Sequence, residues 1–209
     1  MHTLNIRLFA YLFTAVFFAS CAPAAPKISP EEMARRQAFS ALLKKFKPIG
    51  YPVHLRTLDM SMDNVPQLDF KSADTLFLKT EEGMLWCYGL LPDTSQYYAL
   101  LYFTPADVSQ PALATFTKTG VKISDTHIAV GGCGSDCGFE CNETVWIKND
   151  RSIYSADSIT TNDCDDNGNV IPGTTKKYVV YKTGMLEQSG KITLTEEMKK
   201  DLEVVGKKK

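Results

Sequence analysis

Residues 97–103 read YYALLYF, and this stretch decides the fold because it is apolar at every position. In an extended chain, successive side chains point to opposite sides of the sheet. One face would present Tyr97, Ala99, Leu101 and Phe103, and the other Tyr98, Leu100 and Tyr102. Two apolar faces predict that this strand is central in its sheet.

Short polar turns recur on both sides of this strand. Residues 79–84 (KTEEGM), 118–121 (KTGV), 148–151 (KNDR) and 182–185 (KTGM) each separate apolar or aromatic runs. Glycine and the Asn-Asp pair tolerate the positive φ that tight hairpin turns require. The pattern predicts four hairpins, with strands near residues 75–79, 84–90, 97–104, 112–118, 121–130, 142–148, 152–160, 175–182 and 185–193.

The predicted fold is therefore mainly β, an antiparallel meander of about eight or nine strands. Three arrangements remain open for it, namely a sandwich, a barrel and a propeller-like array. We expect residues 48–209 to form the β-rich domain, and a helix over residues 30–47 to belong to the same domain. A chain of this length is enough for one ordinary hydrophobic core.

The helix over residues 30–47 has a clear start. Ser29 can cap it, Pro30 suits its first position, and Glu32 completes a capping box. An apolar stripe follows at helical spacing, made of Phe39, Leu42, Leu43 and Phe46. Its basic face would either be solvated or contact anionic lipid. A second, short helix is predicted from Thr195 to Gly206.

The first twenty residues are typical of an export signal. Arg7 precedes an uncharged apolar run over residues 8–18, which is short for a membrane span. Residues 18–21 (FASC) then resemble the lipobox of bacterial lipoproteins. That resemblance implies cleavage after residue 20 and acylation of Cys21, with residues 21–29 as lipid anchor and Pro/Ala-rich tether. The alternatives are an ordinary signal peptide cleaved near Ala22 and an uncleaved amphipathic anchor.

The resemblance also implies a location and a partner. A lipidated Cys21 would bind the lipid bilayer, and Ala22 after it favours the outer membrane, facing the periplasm or the surface. The chain has 23 Lys and Arg against 24 Asp and Glu. This balance gives no reason to expect nucleic-acid binding.

Three cysteines fall within nine residues among glycines. These are Cys133, Cys137 and Cys141, and Cys164 follows at the next predicted turn. In an oxidising envelope, we expect at least one disulfide among these four residues. The alternatives are a zinc site built from the same four thiolates, or reduced thiols.

Residues 163–170 (DCDDNGNV) resemble the start of an EF-hand calcium loop. Asp163, Asp165 and Asn167 would supply oxygen ligands at positions 1, 3 and 5, but position 12 is Thr174 rather than Glu. The competing interpretation is a plain hairpin turn at Asn167-Gly168.

Two further groups raise the question of activity. Asp125 and His127 share one side of a predicted strand, but no nucleophile motif accompanies them. Six aromatic residues could form a carbohydrate-stacking platform or belong to the core, namely Trp86, Trp146, Tyr88, Tyr97, Tyr98 and Tyr102.

Taken together, these features favour a lipid-anchored envelope protein that acts as a binding or interaction module, with a protein or glycan partner, rather than a catalyst. The first alternative is an envelope hydrolase acting on glycans or peptides. The second is a binding module stabilised by calcium or zinc; no other cofactor is expected.

Overall fold

The computed structural model describes residues 28–69, 77–78, 84–92, 95–131, 133–134 and 136–202. Within these ranges the chain forms one α-helix, α1 (Pro30–Leu43), a short 3-10 helix (Thr57–Asp59) and eleven strands. The strands are β1 (Val53–Arg56), β2 (Gln67–Asp69), β3 (Met84–Leu90), β4 (Tyr97–Thr104), β5 (Gln110–Thr117), β6 (Lys122–His127), β7 (Phe139–Ile147), β8 (Ser152–Thr161), β9 (Lys176–Leu186), β10 (Ile192–Leu194) and β11 (Met198–Leu202).

The strands form two antiparallel sheets. One has five strands in the order β2-β3-β4-β5-β6, and the other has the order β1-β7-β8-β9, with β10 and β11 both paired to the far edge of β9. The prediction of a mainly β, antiparallel fold is confirmed. The prediction that the sheet could close as a barrel is wrong, because the described strands divide into two separate sheets. The number of described strands is eleven rather than the predicted eight or nine.

Strand β4 occupies the middle of the five-stranded sheet, as its sequence predicts, and the structure covers both of its faces. Leu101 and Phe103 belong to a core shared with the six-stranded sheet. Leu100 and Tyr102 belong to a second core on the opposite side, where α1 packs. The molecule therefore has three layers, in the order helix, five-stranded sheet and six-stranded sheet.

Helix α1 is fixed at its start by a cap and along its length by aromatic packing. The Glu32 N–H donates to Ser29 Oγ at 3.1 Å. The ring of Phe39 lies 5.2 Å from that of Phe77 and 5.1 Å from that of Phe116. The helix ends at Leu43 rather than residue 47.

The predicted C-terminal helix is wrong, because Met198–Leu202 forms strand β11. Residues four apart share a face both in a helix and in a strand, so Met198 and Leu202 could not distinguish the two. Strand β10 pairs with only the end of β9, whereas β11 pairs with the stretch from Lys177 to Tyr181. This pairing satisfies backbone groups that would otherwise lie at an open edge.

The predicted turn at residues 182–185 is also wrong, because β9 runs through it without interruption. The reversal falls at Glu187–Gly190 instead, where the Gly190 N–H donates to the Glu187 carbonyl at 3.0 Å and Gly190 has φ 86°. Gly184 lies within the β9–β10 pairing, and a Cβ there would meet the Thr193 carbonyl oxygen. Glycine at this position therefore permits close pairing rather than a turn.

Two of the other predicted hairpins are present. Gly120 takes φ 78° between β5 and β6, and Arg151 takes φ 67° between β7 and β8. Residues 79–83 lie outside the described part of the chain, as do residues 1–27, which contain the predicted signal and Cys21.

Candidate functional site

The outer face of the six-stranded sheet carries a row of rings. Because β1, β7 and β8 are in register, His54, Trp146 and Tyr154 are direct cross-strand neighbours. The His54 and Trp146 rings stack with centroids 3.7 Å apart and planes 13° from parallel. Tyr154 lies 6.3 Å from Tyr181 of β9. We call His54, Trp146, Tyr154 and Tyr181 the aromatic face.

Strand alternation explains why these rings point outward. Their immediate neighbours along β1, β7 and β8 are Leu55, Val145 and Ser155, which point inward and are at most 1% exposed. By contrast, Tyr154 is 36% exposed, and His54 is also exposed.

The surroundings of the aromatic face are mixed in chemistry. Exposed Met185 and Met198 border it on the β9 side. Uncharged polar side chains occupy the same outer rows of β7, β8 and β9, namely Asn142, Thr144, Ser158 and Thr183. Arg56 lies on the edge strand β1. Such a surface can bind a ligand that has apolar ring faces and polar edges. The aromatic rings would stack on the faces of the ligand, and the hydroxyl and amide groups would hydrogen-bond to its edges.

The structure describes all six aromatic residues that the sequence suggested for a stacking platform. Of these six, Trp146 lies on the aromatic face. Tyr97 and Tyr102 are buried in the two cores. Trp86, Tyr88 and Tyr98 are half-buried and pack against those cores, so core packing accounts for five of the six. His54, Tyr154 and Tyr181 were not identified from the sequence. The signal that could have found His54 and Tyr154 is alternation, because apolar Leu55 and Ile153 beside them point to the opposite face of the sheet; Tyr181, between Val180 and Lys182, carries no such signal.

A second cluster lies on the inner face of the same sheet. Glu143 of β7 and Asp157 of β8 are direct cross-strand neighbours, and both are fully buried. Glu143 Oε1 accepts the Gly131 N–H at 2.8 Å, and Asp157 Oδ1 accepts the Asn142 N–H at 3.1 Å. Glu143 Oε2 has no hydrogen-bond partner among the described residues.

Burial raises the pKa of both carboxyl groups. For Glu143, loss of solvation outweighs the hydrogen bond from Gly131, and the nearby Asp157 raises its pKa further. For Asp157, burial outweighs the hydrogen bond from Asn142. The protonated forms are therefore favoured at higher pH than for exposed carboxyl groups. This pair could not be identified from the sequence, because its alignment depends on the β7–β8 register.

The four clustered cysteines form two disulfides, which confirms the prediction of at least one among them. Cys133 bonds to Cys141 with Cα atoms 5.5 Å apart, and Cys137 bonds to Cys164 with Cα atoms 6.5 Å apart. The first disulfide lies beside the buried carboxyl pair, and the second ties the loop before β7 to the turn after β8. Cys87 is buried on the helix side of the five-stranded sheet, outside both disulfides.

The predicted calcium loop forms a tight turn. Asp165 Oδ1 accepts the N–H groups of Asn167 and Asn169 at 2.9 and 2.8 Å, and these hydrogen bonds lower the pKa of Asp165. Gly168 has φ 79°, and Cys164 and Val170 form an isolated antiparallel β-bridge across the turn. Asp163 donates its own N–H to Thr174 Oγ1 at 2.9 Å. These contacts explain residues 163–170 as a hairpin turn. The assignment of Asp163, Asp165 and Asn167 as metal ligands stays a prediction.

Asp125 and His127 share one side of β6, but each has other partners. Asp125 accepts the Tyr102 hydroxyl at 2.6 Å and the Lys122 ammonium at 2.5 Å. His127 Nε2 lies 3.5 Å from Thr104 Oγ1. Burial and the Lys182 ammonium lower the pKa of His127, and Asp125 opposes them. His127 also lines a cavity of about 340 Å³ at the edge of the sheets.

No protein family, no curated protein and no solved structure matches this chain. Within the described ranges, no helix is long and apolar enough to span a membrane.

Proposed function

We propose that this chain is a lipid-anchored protein of the bacterial envelope that binds a glycan through the aromatic face. The observation that carries the binding part is the row of His54, Trp146 and Tyr154 on the outer side of a rigid sheet, with Tyr181 beside it. These large rings belong to neither hydrophobic core, and a group of exposed rings is typical of a surface that binds a partner.

The composition of the face favours a glycan over a protein as that partner. Sugar rings offer apolar C–H faces and many hydroxyl groups, and the aromatic face offers rings beside Thr144 and Thr183, with Ser158 and Asn142 farther along the same rows. Serine and threonine are instead under-represented among the residues that dominate protein interfaces. Adjacent strands lie about 4.8 Å apart, so rings on four neighbouring strands extend over roughly 14 Å, which suits a short oligosaccharide.

The lipid anchor rests on the sequence. Arg7, the apolar run over residues 8–18 and the FASC stretch ending at Cys21 support export and acylation, and Ala22 supports the outer membrane. Several acyl chains on one cysteine would hold the protein at the bilayer without a membrane helix. In this proposal the glycan is one that the envelope exposes near that membrane.

The glycan test uses the fluorescence of Trp146. The chain has two tryptophans, so Trp86→Phe leaves Trp146 as the sole reporter of the aromatic face. Probes are purified peptidoglycan sacculi in pull-down, and soluble trimers of glucose and of N-acetylglucosamine in titration. We expect at least one probe to bind and to shift the emission of Trp146.

The matched variants are two tyrosines of β9. Tyr181 belongs to the aromatic face, whereas Tyr178 lies on the opposite face, under the Lys199 ammonium at 3.9 Å. Tyr181→Ala should weaken binding by about 2 kcal/mol, roughly thirtyfold in Kd. Tyr178→Ala should leave binding unchanged. Equal losses in both variants, or no response to any glycan, would contradict the proposal.

The anchor is tested separately by Cys21→Ser. The parent chain should fractionate with membranes and carry the mass of its acyl chains, and the variant should lose both properties. A variant that stays with the membranes would show that another element attaches the protein.

A further inference from the structure

We infer that Cys133, Cys141 and Asp157 form a zinc site when the Cys133–Cys141 disulfide is reduced. In this structure the two sulfur atoms are bonded to each other, so the disulfide and the zinc site are alternative states of the same residues. The inference is independent of the glycan proposal, because it concerns the inner face of the sheet.

The positions of the donor atoms fit zinc. Zinc binds sulfur at about 2.3 Å and carboxylate oxygen at about 2.1 Å, so two such ligands at a tetrahedral angle lie about 3.6 Å apart. Cys133 Sγ lies 3.8 and 3.7 Å from the two carboxylate oxygens of Asp157. One ligand atom from each of Cys133, Cys141 and Asp157 falls within 4.8 Å of the others.

Glu143 adds negative charge next to this group. It lies directly across the strand pair from Asp157, is fully buried, and its Oε1 atom accepts the Gly131 N–H at 2.8 Å. Two buried carboxylates side by side are costly, and a bound cation would offset that cost. Glu143 is thus a neighbour of the site rather than one of its ligands, since the mutually close donor atoms come from Cys133, Cys141 and Asp157.

The donor set selects the metal. Two thiolates and one carboxylate carry three negative charges, and thiolates favour zinc over calcium or magnesium. Three protein ligands leave a fourth position for water, and the burial of Cys133 and Asp157 favours a structural site. The described part of the chain places no carboxylate in such a group with Cys137 or Cys164.

The conversion balances with a dithiol as reductant. The dithiol gives two electrons to the Cys133–Cys141 bond and becomes a cyclic disulfide. At a pH where Asp157 is ionised, the two protein sulfur atoms then bind Zn²⁺ as thiolates, and the two thiol protons are released to solvent. After a chelator removes zinc, thiol–disulfide exchange with the cyclic disulfide as oxidant restores the Cys133–Cys141 bond and regenerates the dithiol, so the site exchanges between a redox-closed and a metal-closed form.

The test compares metal binding before and after reduction. The Cys137→Ser, Cys164→Ser chain retains the proposed ligands and removes the other disulfide. After dithiol treatment and removal of excess reductant, it is titrated with Zn²⁺ against a chromophoric chelator, and with Co²⁺ for its thiolate absorption bands. We expect one ion per chain, release of two protons, and no binding before reduction.

Asp157→Asn is the diagnostic change, because it keeps the side-chain size and removes the charge of a ligand. It should weaken zinc binding at least about tenfold and alter the cobalt spectrum. Glu143→Gln, beside the site, should leave the cobalt spectrum unchanged. If the reduced chain unfolds without metal, added Zn²⁺ should refold it, and should fail to do so in Asp157→Asn. Binding that is absent after reduction, or unaffected by Asp157→Asn, would overturn the inference.

Discussion

Removal of the Cys137–Cys164 disulfide should cost more stability than removal of Cys133–Cys141. The first joins residues 27 apart in sequence and the second residues 8 apart. The chain-entropy relation for closing loops of these lengths gives about 3.5 kcal/mol for the longer and about 2.5 kcal/mol for the shorter. The expected difference in the free energy of unfolding is therefore about 1 kcal/mol.

Urea unfolding followed by tryptophan fluorescence measures both effects. The two variants are the paired Cys→Ser changes at 137 and 164 and at 133 and 141. Because the cross-link acts on the unfolded chain, each variant should also show a larger m value, since its unfolded state is more expanded. If the Cys133–Cys141 variant is the less stable of the two, contacts around Asp157 outweigh loop entropy and the reasoning is wrong.

Three further changes test the packing and the buried carboxyl pair. Phe39→Ala should lower the free energy of unfolding in urea by about 3–5 kcal/mol, because the ring anchors α1 to the five-stranded sheet. The control is Met33→Ala, at a position 59% exposed, which should change that free energy by less than about 0.5 kcal/mol. Gly120→Ala should cost at least about 1 kcal/mol, since φ is 78° and a Cβ would lie 2.7 Å from Phe39 Cγ; a neutral result would mean that this turn rearranges freely. Glu143 and Asp157 have pKa values raised by burial, so the stability that their protonated forms contribute is complete below about pH 4 and is lost as pH rises through the raised values. Glu143→Gln does not titrate, and its stability relative to the parent chain should rise between pH 4 and 8; a constant difference would show that Glu143 does not titrate in that window.

The layered architecture could be predicted where local sequence and tertiary position agree. Residues 97–103 are apolar on both faces, and β4 is covered on both faces. Ser29, Pro30 and Glu32 mark the start of α1, which the structure places at Pro30. In both cases the physical requirement is local, since it depends on side-chain period or on capping within one turn.

The errors arose where the requirement was long-range. Met198 and Leu202 suit either a helix or a strand, and only the free edge of β9 favours the strand. Gly184 suggests a turn, but it is needed because β10 approaches closely. Glu143 and Asp157 lie fourteen positions apart, so their pairing follows from the register of β7 and β8 and has no signature in either segment alone.

The same register separates the two proposals. Along β8, Tyr154 and Asp157 lie three residues apart and therefore point to opposite faces of the sheet. Tyr154 lies with Trp146 on the outer side, whereas Asp157 lies with Glu143 and the Cys133–Cys141 disulfide on the inner side. Tyr154→Ala should thus weaken glycan binding without changing the zinc affinity of the reduced chain, and Asp157→Asn should weaken that zinc affinity without changing glycan binding by the chain with its disulfide intact. If either change affected both ligands, the sheet would couple its faces through strand pairing, and the two sites would form one system rather than two.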